Sequence, residues 1–290
     1  MNEVEVAEIA RTVERLCEVS IKDYVNPYDL EWPESLDKAQ WFTSPELISL
    51  YETPTYERLG EAARKRLSFF EAVNFFSINI HGEKSLIEGL AARLYKKGND
   101  GISSYLHHFL DEENKHMVYF GGFCTRYAGK VYPDKKLVFR REYARGEEDF
   151  LFFAKVLIFE EIVDVYNVTM ARDERLVEIA RRINMLHHRD EARHLVFGRQ
   201  IVKELFARHS PSWPSEALRG AREYLKNYLV STWKEYYNPE VYRDAGIEAP
   251  YEAREEAFHT ESSRAHRRRI SEGCTRFLLD NGILDEEPAL

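Results

Sequence analysis

Helical periodicity dominates the middle of this chain, where apolar residues recur every three to four positions and proline is nearly absent. The pattern predicts four long helices. The first runs from about Thr55 to Lys97 and stops at Gly98-Asn99-Asp100-Gly101, a run that favours turns over helix. The second covers about 102–128 and ends near Gly129 and Pro133, the third about 147–171, and the fourth about 174–208. A basic stretch over 129–146 crosses between the two pairs. Before the core come a short amphipathic helix at about 3–19, a loop bearing Pro and Trp, and a helix start with Ser44 as N-cap and Pro45 in its first turn. After it come helices at about 215–236 and 252–280. The expectation is an all-α protein: N-terminal helices and loop (1–54) packed on a four-helix bundle (55–208), with C-terminal helices (209–290) in the same domain.

Composition narrows the function more than the fold. With 44% hydrophobic and 31% charged residues, the 290-residue chain is too apolar for disorder and can bury a sizeable core. Its net charge of −9 and lack of a basic stripe argue against nucleic acid as a partner. The run His266-Arg267-Arg268-Arg269 is followed by Ser271-Glu272 and reads as a solvated helix face. No stretch approaches about 18 uninterrupted apolar residues, and the acidic first residues lack the apolar segment of a signal peptide. Cys17, Cys124 and Cys274 are too scattered for a disulfide framework or a zinc site. Free thiols in a cytoplasmic protein are expected, with no membrane association.

The informative feature is a repeated Glu-x-x-His: Glu113-Asn114-Lys115-His116 on the second predicted helix and Glu191-Ala192-Arg193-His194 on the fourth. Positions i and i+3 lie about 60° apart on a helix, so each Glu and His reach the same point. One such pair is ordinary. Two pairs on alternate helices match the demand of di-iron and di-manganese carboxylate sites in bundles, which take one pair from each of two helices and a further Glu from each of the others.

The first helix offers Glu71, Glu83 and Glu88. Glu113 lies about 18 Å up the second helix from the turn, Glu83 about 22 Å and Glu88 about 15 Å up the first, and Glu71 about 40 Å, too far. Glu83 shares its face with Phe76, Asn79, Ile80, Ile87 and Leu90, whereas Glu88 neighbours Lys84, Ser85 and Tyr95. The apolar face favours Glu83 and leaves Glu88 as the alternative. On the third helix Glu160-Glu161 interrupts FLFFAKVLIFEEIVDVYN, and a carboxylate buried there needs a partner or a metal. Spacing favours Glu160 over Glu161, since 191 − 160 = 31 is close to 113 − 83 = 30.

Glu112 and Asp190 each precede a ligand pair and are candidates to accept the second N–H of a metal-bound imidazole. His187 extends the stripe: positions 187, 191 and 194 fall within about a 60° arc, so His187 can face the same metal. His188 points about 100° away and suits packing, while His81, His107 and His108 lie off the ligand faces. Phe76, Ile80, Phe109, Phe120, Phe153, Leu157, Val163 and Asn167 flank the candidates and read mostly as core.

These residues resemble the ferritin-like di-iron oxygenases, and within them the p-aminobenzoate N-oxygenase family. Asp190-Glu191-Ala192-Arg193-His194 is similar to a helix motif of di-iron monooxygenases, and His187-x-x-x-Glu191-x-x-His194 carries the third histidine typical of the N-oxygenases. The resemblance covers about 55–208. It implies Glu83, Glu113, His116, Glu160, His187, Glu191 and His194 as ligands of two iron ions, with manganese as a substitute. It further implies O2 as co-substrate and a small-molecule amine, free or carrier-bound, oxidised to hydroxylamine, nitroso or nitro products in biosynthesis. Absence of a flavin or dinucleotide fingerprint implies an external electron donor, and the spare terminal helices are compatible with a homodimer. Other oxidations on the same site, or a non-catalytic iron protein, are the competing expectations.

Overall fold

The computed structural model describes residues 3–134 and 142–290; the centre of the predicted basic crossover, 135–141, lies outside the described residues. The helices are α1 (Glu3–Lys22), α2 (Pro54–Glu57), α3 (Glu61–Ala91), α4 (Ser103–Phe123), α5 (Glu147–Arg172), α6 (Glu178–His209), α7 (Ser215–Tyr236), α8 (Pro239–Ala245), α9 (Pro250–His259) and α10 (Glu261–Asp280). Among the described residues the one extended pairing is an isolated parallel bridge between Trp41 and Leu176.

The four long helices form two pairs, α3 on α4 and α5 on α6, that meet through α4–α6 and α3–α5 contacts. The α3–α5 approach is close because α3 carries glycine where α5 carries phenylalanine. A Cβ on Gly82 would stand 2.6 Å from the Phe159 ring, and one on Gly89 would overlap Phe152. α1 packs on α4 and α6, α7 and α8 on α3, and α10 on α5. Buried apolar residues from Val13 to Leu284 belong to one continuous core, so the terminal helices thicken the bundle wall around its centre.

Several element ends differ from the sequence expectation, each for a local reason. The first core helix is shorter than 55–97: Thr53 caps the single turn α2 by accepting from Tyr56 N, and α3 begins only after Gly60. At its far end Tyr95 and Gly98 adopt positive φ, and Asn99 Nδ2 donates to Arg93 O at 3.1 Å, closing the chain before Lys97. α4 ends at Phe123 and runs on into a π-helical turn, Cys124–Ala128, so that the helical run stops at Gly129 as expected. The fourth helix starts at Glu178 because Val177 N donates to Trp41 O at 2.9 Å, which holds that segment extended. Ser44-Pro45 opens only a 3-10 turn, Pro45–Leu47, with no side-chain cap. The expected helix 252–280 is broken at Thr260, an extended residue whose hydroxyl caps α10. α8 was not anticipated; Asn238 caps it ahead of Pro239.

Candidate metal centre

At the bundle centre the four long helices each contribute carboxylates, and α4 and α6 add imidazoles. Glu83 comes from α3, Glu113 and His116 from α4, Glu160 from α5, and His187, Glu191 and His194 from α6. All seven are at most 2% exposed. They fall into two groups, Glu83–His116–His187–Glu191 and Glu113–Glu160–Glu191–His194, and within each group the donor atoms lie within 4.8 Å of one another. Glu191 belongs to both, a carboxylate shared between two adjacent positions.

The imidazoles meet these carboxylates edge on. His116 Nδ1 stands 3.1 Å from Glu113 Oε2 and 3.5 Å from Glu191 Oε1. His194 Nδ1 stands 3.0 Å from Glu113 Oε1 and 3.2 Å from Glu191 Oε1. His187 turns its other nitrogen inward: Nε2 is 2.9 Å from Glu191 Oε1 and 3.5 Å from Glu83 Oε1. The helical spacing of Glu-x-x-His places each pair on one side of its helix.

Outside this ring the acids that precede each motif work across the bundle. His194 Nε2 on α6 donates to Glu112 Oε2 on α4 at 2.8 Å, and His116 Nε2 on α4 faces Asp190 Oδ2 on α6 at 3.3 Å. Arg193 Nη2 bridges the two acids, donating to Glu112 Oε1 at 2.5 Å and Asp190 Oδ1 at 2.6 Å. Lys115 Nζ completes the network 2.6 Å from Asp190 Oδ2. Both cations are buried, and burying them is tolerable only because each has a carboxylate partner. Sequence reasoning gave neither Arg193 nor Lys115 a role, although both lie inside the two Glu-x-x-His motifs, at the position before histidine.

The buried carboxyls and imidazoles shift one another's protonation. Burial, then repulsion from Glu113 and Glu191, pushes the Glu83 carboxyl well above the usual range. Burial acts on Glu113 in the same sense, but the His194 charge and the contact with His116 hold it well below. Burial opposes protonation of His116, yet its contacts with Asp190 and Glu113 raise it to about 9. Burial likewise opposes protonation of His194, and the charges of Glu191 and Glu113 raise it well above its ordinary value.

Several buried atoms have no hydrogen-bond partner: both oxygens of Glu83, Glu113 Oε1, Glu160 Oε1, Glu191 Oε2 and His187 Nε2. Leaving such atoms unpaired costs about 1–3 kcal/mol each, more for charged groups. That so many converge on one point fits a site for metal ions. Four carboxylates would balance two dications, and a donor set of hard oxygens and imidazoles without thiolate suits iron or manganese.

The alternatives weighed from the sequence lie elsewhere. Glu88 is exposed on α3, and Glu161 pairs with Arg199 Nε at 2.6 Å. His188 Nδ1 meets Asp164 at 2.6 Å, His107 meets Tyr95, and His81 Nε2 contacts Tyr132 O at 2.7 Å. Glu71, too far along α3, accepts from Ser49 Oγ at 2.5 Å. Phe76, Phe109, Phe120, Phe153, Leu157 and Val163 are packed core. Asn167 is an exception with a polar contact: its Nδ2 lies 2.8 Å from His187 Nδ1. A cleft of about 440 Å³ opens instead among Tyr51, Tyr166, Trp233, Tyr237, His266 and Arg269.

Comparison with known proteins gives a consistent picture. The sequence model of the family described as P-aminobenzoate N-oxygenase AurF matches residues 7–282. Uncharacterized proteins of Mycobacterium tuberculosis and Mycobacterium bovis are 25% identical over 221 residues, a match covering 72% of this chain. The chain spans 64% of the length of these curated relatives. Among solved structures, an R2-like ligand-binding oxidase from Sulfolobus acidocaldarius superposes with a TM-score of 0.51 at 14% identity, covering 96% of this chain and 92% of that one. An R2-like ligand-binding oxidase with an aerobically reconstituted Mn/Fe cofactor superposes with a TM-score of 0.51 at 16% identity, covering 94% and 92%. These likenesses are of fold: an all-α, ferritin-like bundle with added terminal helices. No helix among the described residues is long and apolar enough to cross a membrane.

Proposed function

Because this chain belongs to the p-aminobenzoate N-oxygenase family, we propose that it is a dimetal oxygenase that uses O2 to oxidise the nitrogen of a small-molecule amine. The observation that carries this reading is the pair of buried donor groups sharing Glu191. Glu83, Glu113, His116, Glu160, His187, Glu191 and His194 would hold two metal ions, iron in both positions or the Mn/Fe pair named for the structural neighbour. Bound there, two metal ions would supply the chemistry of O2 activation, with electrons from an external donor.

The chain's own residues do the rest. Glu112 and Asp190 fix the rings of His194 and His116 and keep a proton on the outer nitrogen, so that the inner nitrogen would offer its lone pair once a metal displaces the proton there. Arg193 keeps both acids charged and in place. Phe109, stacked on His194 with centroids 3.9 Å apart, and Phe120, packed edge-on to His187 at 4.9 Å, exclude bulk water from the centre. The cleft beside Tyr166 has the size of small-molecule sites and adjoins the residue before Asn167, whose amide touches His187.

The test is product analysis. Metal-loaded protein is reduced, exposed to O2 with a panel of aryl and alkyl amines, and assayed by mass spectrometry. Hydroxylamine, nitroso or nitro products from the wild type, absent from Glu191→Ala, support the reading. Products oxidised only at carbon from fully metal-loaded protein contradict N-oxygenation and favour another dimetal oxidation.

A further inference from the structure

The third histidine is held differently from the other two. His116 and His194 turn their outer nitrogens to carboxylates, whereas His187 turns Nδ1 to a neutral amide, with Asn167 Nδ2 at 2.8 Å. Asn167 is fully buried on α5. With the amide in this orientation two buried atoms are left without a hydrogen bond, Asn167 Oδ1 and His187 Nε2. The second lies 2.9 Å from Glu191 Oε1 but off the line of a hydrogen bond.

A neutral imidazole carries one proton, so Nε2 can offer a lone pair only when that proton sits on Nδ1. Nδ2–H donating to Nδ1 would force the opposite tautomer and aim an N–H into the donor cluster. A half-turn of the amide exchanges Oδ1 and Nδ2, groups of nearly equal size, within the same space. Oδ1 then accepts from Nδ1–H, Nδ2 takes the place that Oδ1 held, and Nε2 faces Glu83 and Glu191 with its lone pair.

We propose that Asn167 is a positioning residue: its Oδ1 accepts the Nδ1 proton of His187, fixes the ring's tautomer, and presents Nε2 to the group Glu83–His116–His187–Glu191. This rests on the metal reading above. An amide polarises the ring less than a carboxylate does, so His187 is the weakest imidazole donor of the three.

The tautomer can be read without metal or turnover. Histidine labelled with 15N in the imidazole, in otherwise native full-length protein, gives long-range proton–nitrogen correlations that distinguish the two forms; His187→Gln assigns the signal. The expected result is Nδ1–H for His187 in the metal-free wild type, retained on loading with zinc as a diamagnetic probe. Asn167→Leu removes the acceptor at similar volume. It is expected to shift His187 toward Nε2–H and weaken zinc binding at the group that contains His187 about 10–100-fold. Asn167→Asp, which can only accept, is expected to restore Nδ1–H and wild-type or tighter binding.

Nε2–H in the metal-free wild type would overturn the proposal, as would a tautomer and zinc affinity unchanged in Asn167→Leu. Should Asn167→Leu fail to fold, the wild-type and Asn167→Asp tautomers still decide. A chain that shows Nδ1–H yet binds no zinc contradicts the metal reading and leaves the tautomer assignment standing.

Discussion

Glu112 on α4 accepts the Nε2 proton of His194 on α6 at 2.8 Å, so the acid written before one Glu-x-x-His motif serves the histidine of the other. Asp190 repeats the relationship toward His116 in the opposite direction. Each helix therefore carries its neighbour's orienting group, and the two motifs are useful only when α4 and α6 are docked. Replacing Glu112 by Gln removes the charge while keeping the side chain's length. Metal affinity is expected to fall about 10–100-fold with the helix content unchanged, measured by competition with a metal indicator. Affinity equal to wild type would mean that the contact orients nothing.

The two acids set aside on α3 and α5 provide the matching control. Glu88→Ala and Glu161→Ala should retain full metal stoichiometry, since one is exposed and the other is paired with Arg199. Glu83→Ala and Glu160→Ala should lose one or both ions. Elemental analysis of the four purified variants checks the assignment, and loss of metal in Glu88→Ala with retention in Glu83→Ala would reverse it.

Glu71 makes stability depend on pH. Burial raises its carboxyl from an ordinary 4.5 to about 8, against the opposing bonds from Ser49. Between those values the folded chain holds a proton that the unfolded chain has released, so folding takes up a proton. Stability from this group is present below about 4.5 and is lost as pH rises toward 8, by at most about 1.4 kcal/mol per pH unit. Glu71→Gln keeps an acceptor for Ser49 and removes the titration. Denaturant midpoints measured from pH 5 to 8 should therefore flatten in the variant; parallel profiles for the two proteins would refute this.

The α3–α5 contact is predicted to be intolerant of a single methyl group. Gly89→Ala would press a Cβ into the Phe152 ring, an overpacking cost of about 1–3 kcal/mol against a helix-propensity gain of at most about 1 kcal/mol. Gly121→Ala, with nothing within 4 Å of the new atom, should keep that gain. Chemical denaturation of the two variants should show opposite signs.

Much of this arrangement was legible in the sequence because helices encode it locally. A Glu-x-x-His repeat fixes which side chains share a face, and the burial of Glu160 within an apolar run, or of Glu83 beside Phe76 and Leu90, follows from the same period. The seven side chains that the family resemblance implied are those the structure brings together in the two groups. Contacts between helices far apart in sequence were not legible. Nothing local says that Glu112 meets His194 rather than its own His116, that Arg193 spans both acids, or that Asn167, one of several residues flanking the site, touches His187. Helix ends were misjudged where tertiary bonds decide them, as where Trp41 holds Val177 extended. The split at Thr260 left a periodic pattern almost intact, so α9 and α10 read as one helix.

The central claim is that these seven residues hold two metal ions, and metal stoichiometry tests it most directly. Protein expressed with iron, and separately reconstituted anaerobically with iron or manganese, should contain about two ions per chain. Glu191→Ala, which removes the carboxylate common to both groups, should contain fewer than one. Wild-type protein without stoichiometric metal after reconstitution, or Glu191→Ala that still binds two, would contradict the account.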